Sequence, residues 1–354
     1  MSVAPAPSSL ALIAERVDRC LADLLATEQR RWGSFDPDLA EPVAEIARLV
    51  LAGGKRLRPA FCHWGFVGAG GDPDDERVVR AGAAFELMHA FALFHDDVMD
   101  DAPTRRGAPT THVVYAERHA TQGWAGETRR FGEGAAILIG DLAFVYADQL
   151  LADAGSEVWA IWNELRVELN MGQFLDILGG VRRERRRDIA ERICRYKSGK
   201  YTIERPLHLG AVLAAPDRTA ELLPALSAYG LPLGDAFQMR DDVMGAFGDE
   251  VITGKPVGGD LREGKPTPLL ARANALATPA QRAVLDGVGR PGMSDDEVAD
   301  IQQVIVETGA LAELEAHITE LTDAAIDAIS VAPLTADAAD ELTALAHYVS
   351  RRLV

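Results

Sequence analysis

Apolar residues recur at spacings of three and four along almost the whole chain, and this periodicity limits the folds that the chain can adopt. Such spacing places apolar side chains on one face of an α-helix, whereas the alternation expected of β-strands is scarce. Short clusters such as Gly179-Gly180 separate the segments. We therefore predict an all-α protein of about a dozen helices around a central cavity. The main predicted helical segments are 9–30, 38–52, 74–100, 131–152, 156–178, 187–213 and 219–247.

Length and composition agree with one folded domain. The 354 residues are 48% hydrophobic, and we predict a flexible tail over 1–8 and a single helical domain over 9–354. The net charge of −18 opposes a general affinity for nucleic acid or anionic membranes, because both need clustered positive charge. No run of about 18 apolar residues is present, so we expect no membrane span.

The number and spacing of the cysteines indicate the cellular compartment in which the protein works. Cys20, Cys62 and Cys194 lie far apart, match no disulfide framework or zinc spacing, and favour a reducing environment. The N-terminal residues lack the basic start of a signal peptide. We therefore expect a cytoplasmic protein.

A group of aspartates closes the helical segment VVRAGAAFELMHAFALFHDD. Asp96 and Asp100 are four residues apart, so they share one helical face, where like charges repel. Carboxylates at a helix C-terminus also oppose the helix dipole. A divalent cation that carries substrate phosphates would relieve this repulsion, although a solvated acidic helix end explains a lone cluster equally well.

A second aspartate pair interrupts another apolar helix, in LGDAFQMRDDVMGAFGDE. Acidic residues such as Asp241 and Asp242 are rarely buried unless they are paired or bind a metal. Two such helices that face each other across a cavity could hold metal ions between them. The second pair therefore favours a metal site over a solvated helix end.

Positive residues gather in short loops that contain glycine, although the chain as a whole is acidic. Arginine offers forked donors to phosphate oxygens and lysine offers a point charge. One such loop alone is more often a solvated surface, but beside two aspartate helices the set favours diphosphate binding. The residues are Lys55, Arg56, Arg58, Arg105, Arg106, Lys197, Lys200, Lys255 and Lys265.

Six motifs in this order resemble the trans-isoprenyl diphosphate synthases, over roughly residues 45–275 and more weakly to the C-terminus. They are GGKRLRP, HDDVMD, RRGAPTTH, GQFLDI, FQMRDD and GKPVGGDLREGK. The segment YKSGKYTIERPLHLG is similar to the actinobacterial geranylgeranyl diphosphate synthases. The resemblance implies the helical isoprenoid synthase fold, prenyl transfer from an allylic diphosphate to isopentenyl diphosphate, and a homodimer. It also implies Mg²⁺ as the cofactor, with three ions when substrate is bound.

The resemblance implies a role for each matching residue. It assigns Mg²⁺ binding to Asp96, Asp97, Asp100 and Asp241, with Asp242 beside them. It assigns the binding of isopentenyl diphosphate to Lys55, Arg58, His89 and Arg106. It assigns the allylic side to Arg105, Lys197, Ser198, Gln238, Lys255 and Lys265, and the GQxxD motif to Gln173 and Asp176.

Two positions depart from the family pattern. Gly245 replaces the last aspartate of the second motif, which removes one carboxylate near the metal and leaves Asp241 in place. Ser198 stands where threonine is commoner, and it keeps the hydroxyl group. Neither departure argues for a loss of activity.

The implied reaction ionises the allylic diphosphate, condenses the cation with isopentenyl diphosphate and eliminates a proton. It needs no protein nucleophile, and the sequence has no GxSxG motif. Water must be excluded, because it would quench the cation to an alcohol.

The depth of the cavity along the helix before Asp96 should set the product length, since one isoprene unit is comparable to a helix turn of about 5.4 Å. Phe91 is either the floor of this cavity or an ordinary core residue, and Ala92 leaves room beside it. Met88 lies one turn closer to the N-terminus of the helix. The first motif has no insertion between its aspartates. The resemblance therefore favours the C20 product, geranylgeranyl diphosphate, with C15 and C25 open.

Two other functions stay open. A class I terpene cyclase shares the aspartate-rich Mg²⁺ site but needs no isopentenyl pocket, and its NDxxSxxxE motif is missing. A synthase-like, non-catalytic partner subunit would typically have lost charged motif residues, and nearly all are present here. Both alternatives therefore fit the sequence less well than prenyl transfer.

Overall fold

The computed structural model describes residues 5–105, 107–248 and 258–351. Within these ranges it has sixteen α-helices, one π-helix, two 3₁₀ turns and one hairpin of two-residue strands. The α-helices are α1 Ser8–Gly33, α2 Glu41–Val50, α3 Leu57–Gly68, α4 Glu76–Met99, α5 Thr111–Gln122, α6 Thr128–Leu150, α7 Ser156–Arg182, α8 Arg187–Cys194, α9 Arg205–Ala214, α10 Thr219–Phe247, α11 Gly259–Glu263, α12 Pro268–Leu276, α13 Pro279–Leu285, α14 Asp295–Glu307, α15 Ala310–Ser330 and α16 Ala336–Ser350. The strands are β1 Thr104–Arg105 and β2 Ala108–Pro109, the π-helix is Arg195–Glu204, and the 3₁₀ turns are Pro37–Ala40 and Pro216–Arg218.

The prediction of an all-α protein is confirmed. Helix α10 spans the predicted segment 219–247, although Pro224 and Pro232 lie inside it. The ends of the other long helices lie within about one turn of the predicted ends, which is the usual uncertainty at helix termini. The periodicity of apolar residues was therefore sufficient to place these elements.

Two details of the predicted helices were wrong. The predicted segment 187–213 is not one α-helix, because the π-helix Arg195–Glu204 separates α8 from α9. Gly179-Gly180 does not end a helix, since α7 continues to Arg182. At Gly179 an added Cβ would lie 3.0 Å from Cγ of Pro266, so this glycine allows close packing instead of marking a turn.

The helices fall into two compact units. The N-terminal unit comprises Ser8–His63 and Asp72–Ser156. The C-terminal unit comprises Trp64–Gly71 and Glu157–Val354, together with Met1–Pro7. The first helix begins at Ser8, and the boundary between tail and domain stays a prediction.

Helix α4 is buried along most of its length in the N-terminal unit. Its N-terminus is capped by Asp75, which accepts a hydrogen bond from the Arg77 N–H at 2.7 Å. Near its other end, α6 approaches so closely that a Cβ on Gly140 would lie 2.4 Å from Cδ2 of His95. A ring nitrogen of His95 also lies 3.0 Å from the Ile137 carbonyl oxygen. These contacts hold the last turns of α4 in place.

The C-terminal unit buries one face of α10. Met239, Val243 and Ala246 recur at helical spacing and pack into a core cluster with residues of α11, α12, α14 and α15. This packing fixes the rotation of α10 about its axis. Gln238, Asp241 and Gly245 recur at the same spacing and so share a neighbouring face of the helix.

Two expectations concern cysteines and membranes. Cys20, Cys62 and Cys194 are all free thiols, as expected, and the last two are buried. In the described ranges, no helix combines the length and the apolar character that a membrane span requires.

Candidate active site

The first aspartate cluster ends α4 in the N-terminal unit. Asp97 is buried, and Arg105 donates to its Oδ1 from Nε at 2.7 Å. The same guanidinium lies 3.7 Å from Oδ2 of Asp96. Asp100 is the exposed C-cap, and its N–H donates to the Asp96 carbonyl oxygen at 2.8 Å. The chain therefore supplies part of the positive charge that these aspartates need.

A two-residue hairpin presents Arg105 to the aspartates. β1 pairs with β2 in antiparallel register, with Arg105 opposite Ala108, and Gly107 takes a positive φ of 74° in the turn. The Arg105 side chain is only 18% exposed, so water screens its ion pair with Asp97 weakly. Burial raises the pKa of the Asp97 carboxyl above its usual range in spite of this guanidinium. Asp97 is therefore part of the support for Arg105, and Asp96 and Asp100 are the more accessible carboxylates.

Arg56 anchors the GGKRLRP loop. Its buried side chain donates to Oδ1 of Asp18 at 2.7 Å, Oε2 of Glu86 at 2.5 Å and the Val50 carbonyl oxygen at 2.6 Å. Its φ of 49° lies in the left-handed region, which is unfavourable for a residue other than glycine. Hydrogen bonds to charged partners offset this strain. Arg56 is thus a structural residue of this loop.

The anchored loop carries two of the residues assigned to isopentenyl diphosphate. Lys55 is exposed and Arg58 is half-buried. Because Glu86 holds Arg56 and lies one turn before His89 on α4, the loop is fastened next to the turn that carries His89. Arg106, the fourth residue of this group, lies outside the described residues.

A π-helix carries two residues of the allylic group in the C-terminal unit. Lys197 and Ser198 lie in its first turns, and Nζ of Lys197 is 2.5 Å from Oδ2 of Asp176 on α7. Gln173 lies one turn before Asp176 on the same helix. Stretches of π-helix are rare and occur frequently at functional sites. The two motifs, GQFLDI and YKSGKYT, are therefore brought into contact.

Glycines make this contact possible. A Cβ on Gly172 of α7 would lie 2.4 Å from the backbone nitrogen of Lys197. On the other side, a Cβ on Gly199 would lie 2.9 Å from the backbone carbon of Gly234 on α10. The π-helix therefore packs by its backbone against both α7 and α10, one turn before Gln238.

The second aspartate cluster lies on α10. Asp242 is 4% exposed, and its Oδ1 accepts a hydrogen bond from Nε2 of Gln238 at 2.8 Å. Within the described part of the chain its Oδ2 has no hydrogen-bond partner. Burial, followed by the negative charge of Asp260, raises the pKa of the Asp242 carboxyl well above its usual range. Asp241, next in the chain, is half-buried.

A lysine lies beside this cluster. Nζ of Lys265 is 3.6 Å from Oδ1 of Asp260 and 2.7 Å from Oε2 of Glu263. Lys265 therefore brings a positive charge to the carboxylates next to α10. Lys255, the other lysine predicted from this segment, lies outside the described residues.

The donor set fits a hard divalent cation. No three His, Cys, Asp or Glu side chains in the described ranges are already arranged to hold a metal ion. Within these ranges Oδ2 of buried Asp242 nevertheless has no hydrogen-bond partner, and a buried carboxylate oxygen without one is costly. Carboxylate oxygens are hard ligands, which favour Mg²⁺ over softer metals.

The residues proposed to limit chain length lie on α4. The ring of Phe91 is half-buried and lies 4.6 Å from the His95 ring and 4.8 Å from the Phe144 ring of α6. Ala92 is also half-buried, whereas Met88 is fully buried. Phe91 is thus held by aromatic packing in one orientation, with part of its surface still accessible.

Sequence reasoning missed the partner of one basic residue. Glu168 on α7 is buried, forms an ion pair with Lys200 and accepts two hydrogen bonds from Arg205, at 2.6 and 2.7 Å. Lys200 belongs to the YKSGKYT segment, yet its charge is directed to this network. Nothing around Glu168 in the sequence distinguishes it from an ordinary helix residue.

Comparison with known proteins finds relatives along most of the chain. The sequence model of the polyprenyl synthetase family matches residues 40–307. A geranylfarnesyl diphosphate synthase from Aeropyrum pernix is 33% identical over 317 residues, which cover 86% of this chain and 92% of that protein. A (2E,6E)-farnesyl diphosphate synthase from Mycobacterium tuberculosis is 33% identical over 315 residues, which cover 84% of this chain and 80% of that protein.

A solved structure is also similar. The geranylgeranyl pyrophosphate synthase from Corynebacterium glutamicum, crystallised with isoprenyl diphosphate and magnesium, superimposes with a TM-score of 0.90 and 36% sequence identity. The match covers 97% of this chain and 99% of that chain. The predicted isoprenoid synthase fold is therefore confirmed.

The close packing at Gly172 leads to a testable prediction. Gly172→Ala should displace the backbone at Lys197 and lower the free energy of unfolding by about 1–3 kcal/mol, because a methyl group has no room there. Gly180→Ala on the same helix is the matched control, since nothing lies within 4 Å of its added Cβ. Thermal unfolding followed by circular dichroism should show a lower midpoint for Gly172→Ala only. Equal midpoints for the two variants would contradict the packing described here.

Proposed function

Because the chain belongs to the polyprenyl synthetase family, we propose that it is a Mg²⁺-dependent trans-prenyltransferase that condenses isopentenyl diphosphate with an allylic diphosphate. The observation that carries this proposal is the pairing of each aspartate cluster with a cation. Arg105 lies beside Asp96, and Lys265 lies in the carboxylate cluster of α10. Carboxylates for a divalent metal and donors for phosphate are the groups that this chemistry needs.

We assign the allylic diphosphate to the two aspartate clusters and the π-helix. Asp96, Asp100 and Asp241 would hold Mg²⁺, with Asp97 and Asp242 behind them, and three ions are expected with substrate bound. Bound Mg²⁺ supplies positive charge that stabilises the departing diphosphate. The side chains that would donate to its oxygens are Arg105, Lys197, Ser198, Gln238, Lys255 and Lys265. We place Gln173 and Asp176 of the GQxxD motif in the same substrate site, where Asp176 accepts a hydrogen bond from Lys197.

Isopentenyl diphosphate is assigned to the loop that Arg56 anchors. Lys55 and Arg58 would bind its phosphate oxygens together with His89 and Arg106. Because Arg56 fastens the loop to α4, the charges of Lys55 and Arg58 are positioned before substrate arrives, and less conformational entropy is lost on binding. Isopentenyl diphosphate keeps its diphosphate group in this reaction. It therefore meets basic side chains of the loop that are already in position.

In this mechanism the protein stabilises charge and excludes water. Arg105 and the lysines stabilise the diphosphate as it leaves, the isopentenyl double bond attacks the resulting cation, and the released diphosphate accepts the eliminated proton. No protein side chain forms a covalent bond with substrate. Apolar residues such as Phe91 keep water from the cation.

The assignment of Asp96 and Asp241 can be tested by substitution. Asp96→Asn and Asp241→Asn should each lower kcat by about 10²-fold or more, because each removes an anionic ligand while keeping the shape of the side chain. The assay measures incorporation of labelled isopentenyl diphosphate into a farnesyl diphosphate primer with Mg²⁺, with the products weighed by mass spectrometry.

Asp101→Asn is the matched control. Asp101 is exposed, follows the same cluster, and has a φ of 50° that asparagine adopts readily. This variant should keep wild-type turnover. Wild-type rates from Asp96→Asn would overturn the assignment, cyclic hydrocarbons from the wild type would indicate a cyclase, and no turnover would indicate a non-catalytic subunit.

We further propose that the main product is geranylgeranyl diphosphate. The named products of the relatives differ, so their names do not decide the length. The half-buried ring of Phe91, braced by Phe144 and His95, is a suitable floor for the growing chain one turn before Asp96. Ala92 beside it leaves more room than a second aromatic residue would.

Phe91→Ala should shift the products to longer chains, because it removes the floor. Phe94→Leu is the control, since Phe94 lies one turn further along α4 but is buried in the core. The control should lose some stability and keep the wild-type products, as determined by mass spectrometry. An unchanged distribution in Phe91→Ala would show that Phe91 is an ordinary core residue.

We also propose a homodimer that pairs through α6. Exposed large apolar side chains on this helix include Ile137, Leu138 and Val145, and Leu138 is 70% exposed. Soluble chains rarely leave such a row uncovered, and a two-fold axis would bury it against its own copy. Sedimentation should give twice the mass of the chain, and Leu138→Lys should shift it towards the single chain. A wild-type mass equal to one chain would exclude this dimer.

A further inference from the structure

Five arginines lie at or between the end of α7 and the start of α8, although the chain as a whole is acidic. Two of them are neutralised by carboxylates. Glu184 accepts hydrogen bonds from Arg186 at 2.8 and 3.1 Å, and Arg187 forms ion pairs with Glu191 and Glu313. The three that form no ion pair within the described ranges are Arg182, Arg183 and Arg185, and we call them the arginine turn.

Arg183 has a backbone conformation that favours glycine. Its φ is 51°, in the left-handed region that is unfavourable for a residue with a side chain. The Arg183 N–H donates to the Gly180 carbonyl oxygen at 3.1 Å, and the Glu184 N–H donates to the Gly179 carbonyl oxygen at 2.9 Å. Helices that end in this pattern usually carry glycine at the position of Arg183. Strain that a glycine would relieve suggests that the arginine side chain has a function.

Arg185 is half-buried beside Arg183. One of its terminal nitrogens donates to the Glu184 carbonyl oxygen at 3.2 Å, which orients the guanidinium without neutralising it. Burial, followed by the positive charge of Arg183, lowers the pKa of the Arg185 guanidinium. The charge of Asp286, at the end of α13, acts in the opposite direction but forms no ion pair with Arg185 in the described part of the chain. The two arginines therefore repel each other, and a bound anion would relieve the repulsion.

The arginine turn lies close to residues assigned to the allylic diphosphate. Because an α-helix rises about 1.5 Å per residue, α7 ends about 9 Å beyond Asp176, the partner of Lys197. A Cβ on Gly179 would lie 3.0 Å from Cγ of Pro266, the residue that follows Lys265. The turn is thus within about one Debye length, about 8 Å at physiological salt, of the segments that carry both lysines.

We propose that the arginine turn is an outer binding site for diphosphate, which attracts the allylic substrate before it reaches Lys197 and Lys265. A chain with a net charge of −18 repels a diphosphate at long range, so a local patch of positive charge increases the frequency of productive encounters. Guanidinium groups suit this task, because their forked donors fit phosphate oxygens. The inference rests on the proposed function in naming the allylic diphosphate as the ligand.

The test uses Arg183→Gly, in which binding and stability should change in opposite directions. The variant should lower kcat/KM for farnesyl diphosphate about threefold at low ionic strength, mainly through KM, because one attracting charge is lost. It should also raise the midpoint of thermal unfolding by about 1–2 °C, because glycine adopts this φ without strain. Arg183→Lys keeps the charge and should recover most of kcat/KM.

A triple variant and a change of salt test the electrostatic origin of the effect. Arg182→Gln, Arg183→Gly and Arg185→Gln together should lower kcat/KM about tenfold at an ionic strength of about 0.01 M and less than about twofold at about 0.15 M, where charges are screened. Arg30→Gln is the matched control. Arg30 is exposed, forms no ion pair in the described ranges, and lies about 18 Å along α1 from Asp18, which holds the GGKRLRP loop.

Binding is also measured without turnover. Inorganic diphosphate is titrated by calorimetry at low ionic strength, with no prenyl substrate present. Its Kd should rise about threefold in Arg183→Gly and should be the same in Arg30→Gln as in the wild type. This measurement depends on the charges of the turn and does not require the chain to be a prenyltransferase.

The outcomes separate this inference from the proposed function. A wild type without turnover would overturn the proposed function, and the diphosphate titration would then decide the role of the arginine turn alone. Equal kcat/KM and equal Kd in the wild type and the triple variant at low ionic strength would overturn only that role. A loss in Arg183→Lys as large as that in Arg183→Gly, or a lower melting point of Arg183→Gly, would show that the side chain is structural.

Discussion

Carboxylates placed in otherwise apolar helices are the constraint on which the site depends. Such groups lose hydration when the helices pack, so each needs a cation or donors. On α4 the chain meets this need with Arg105, which binds Asp97 and lies beside Asp96. On α10 the need is not fully met, because Oδ2 of Asp242 has no partner in the described ranges. The buried aspartates of the two clusters, Asp97 and Asp242, therefore differ in the partners that the described residues provide.

Backbone packing through glycine determines where the basic groups lie. The π-helix contacts α7 at Gly172 and α10 at Gly199 and Gly234, so its backbone has little freedom to shift. Lys197 starts from that backbone and reaches Asp176, while Lys200 is held by Glu168. Two lysines three residues apart thus pair with carboxylates on different turns of α7.

The sequence was informative where one physical rule acts over many residues. Periodicity placed α10 over 219–247, and motif order supplied the aspartates and basic loops on which the proposed site rests. It failed where the answer depends on contacts between distant segments. Arg56 looked like a third phosphate donor, yet Asp18 and Glu86 hold it in the interior, and Glu168 carried no mark of its role. Gly179 looked like a helix end because no local pattern reveals the nearby Pro266.

The same limit applies to a motif that appears incomplete. A missing aspartate in a sequence pattern is read as a missing charge, because the pattern records backbone positions alone. What a metal site requires is negative charge at a place in space, and a side chain from another segment can supply it. Gly245 and Asp260 lie in different segments of the chain, yet the structure puts the carboxylate of one against the Cα of the other. The sequence pattern alone therefore does not show which carboxylates lie close to position 245 in the folded chain.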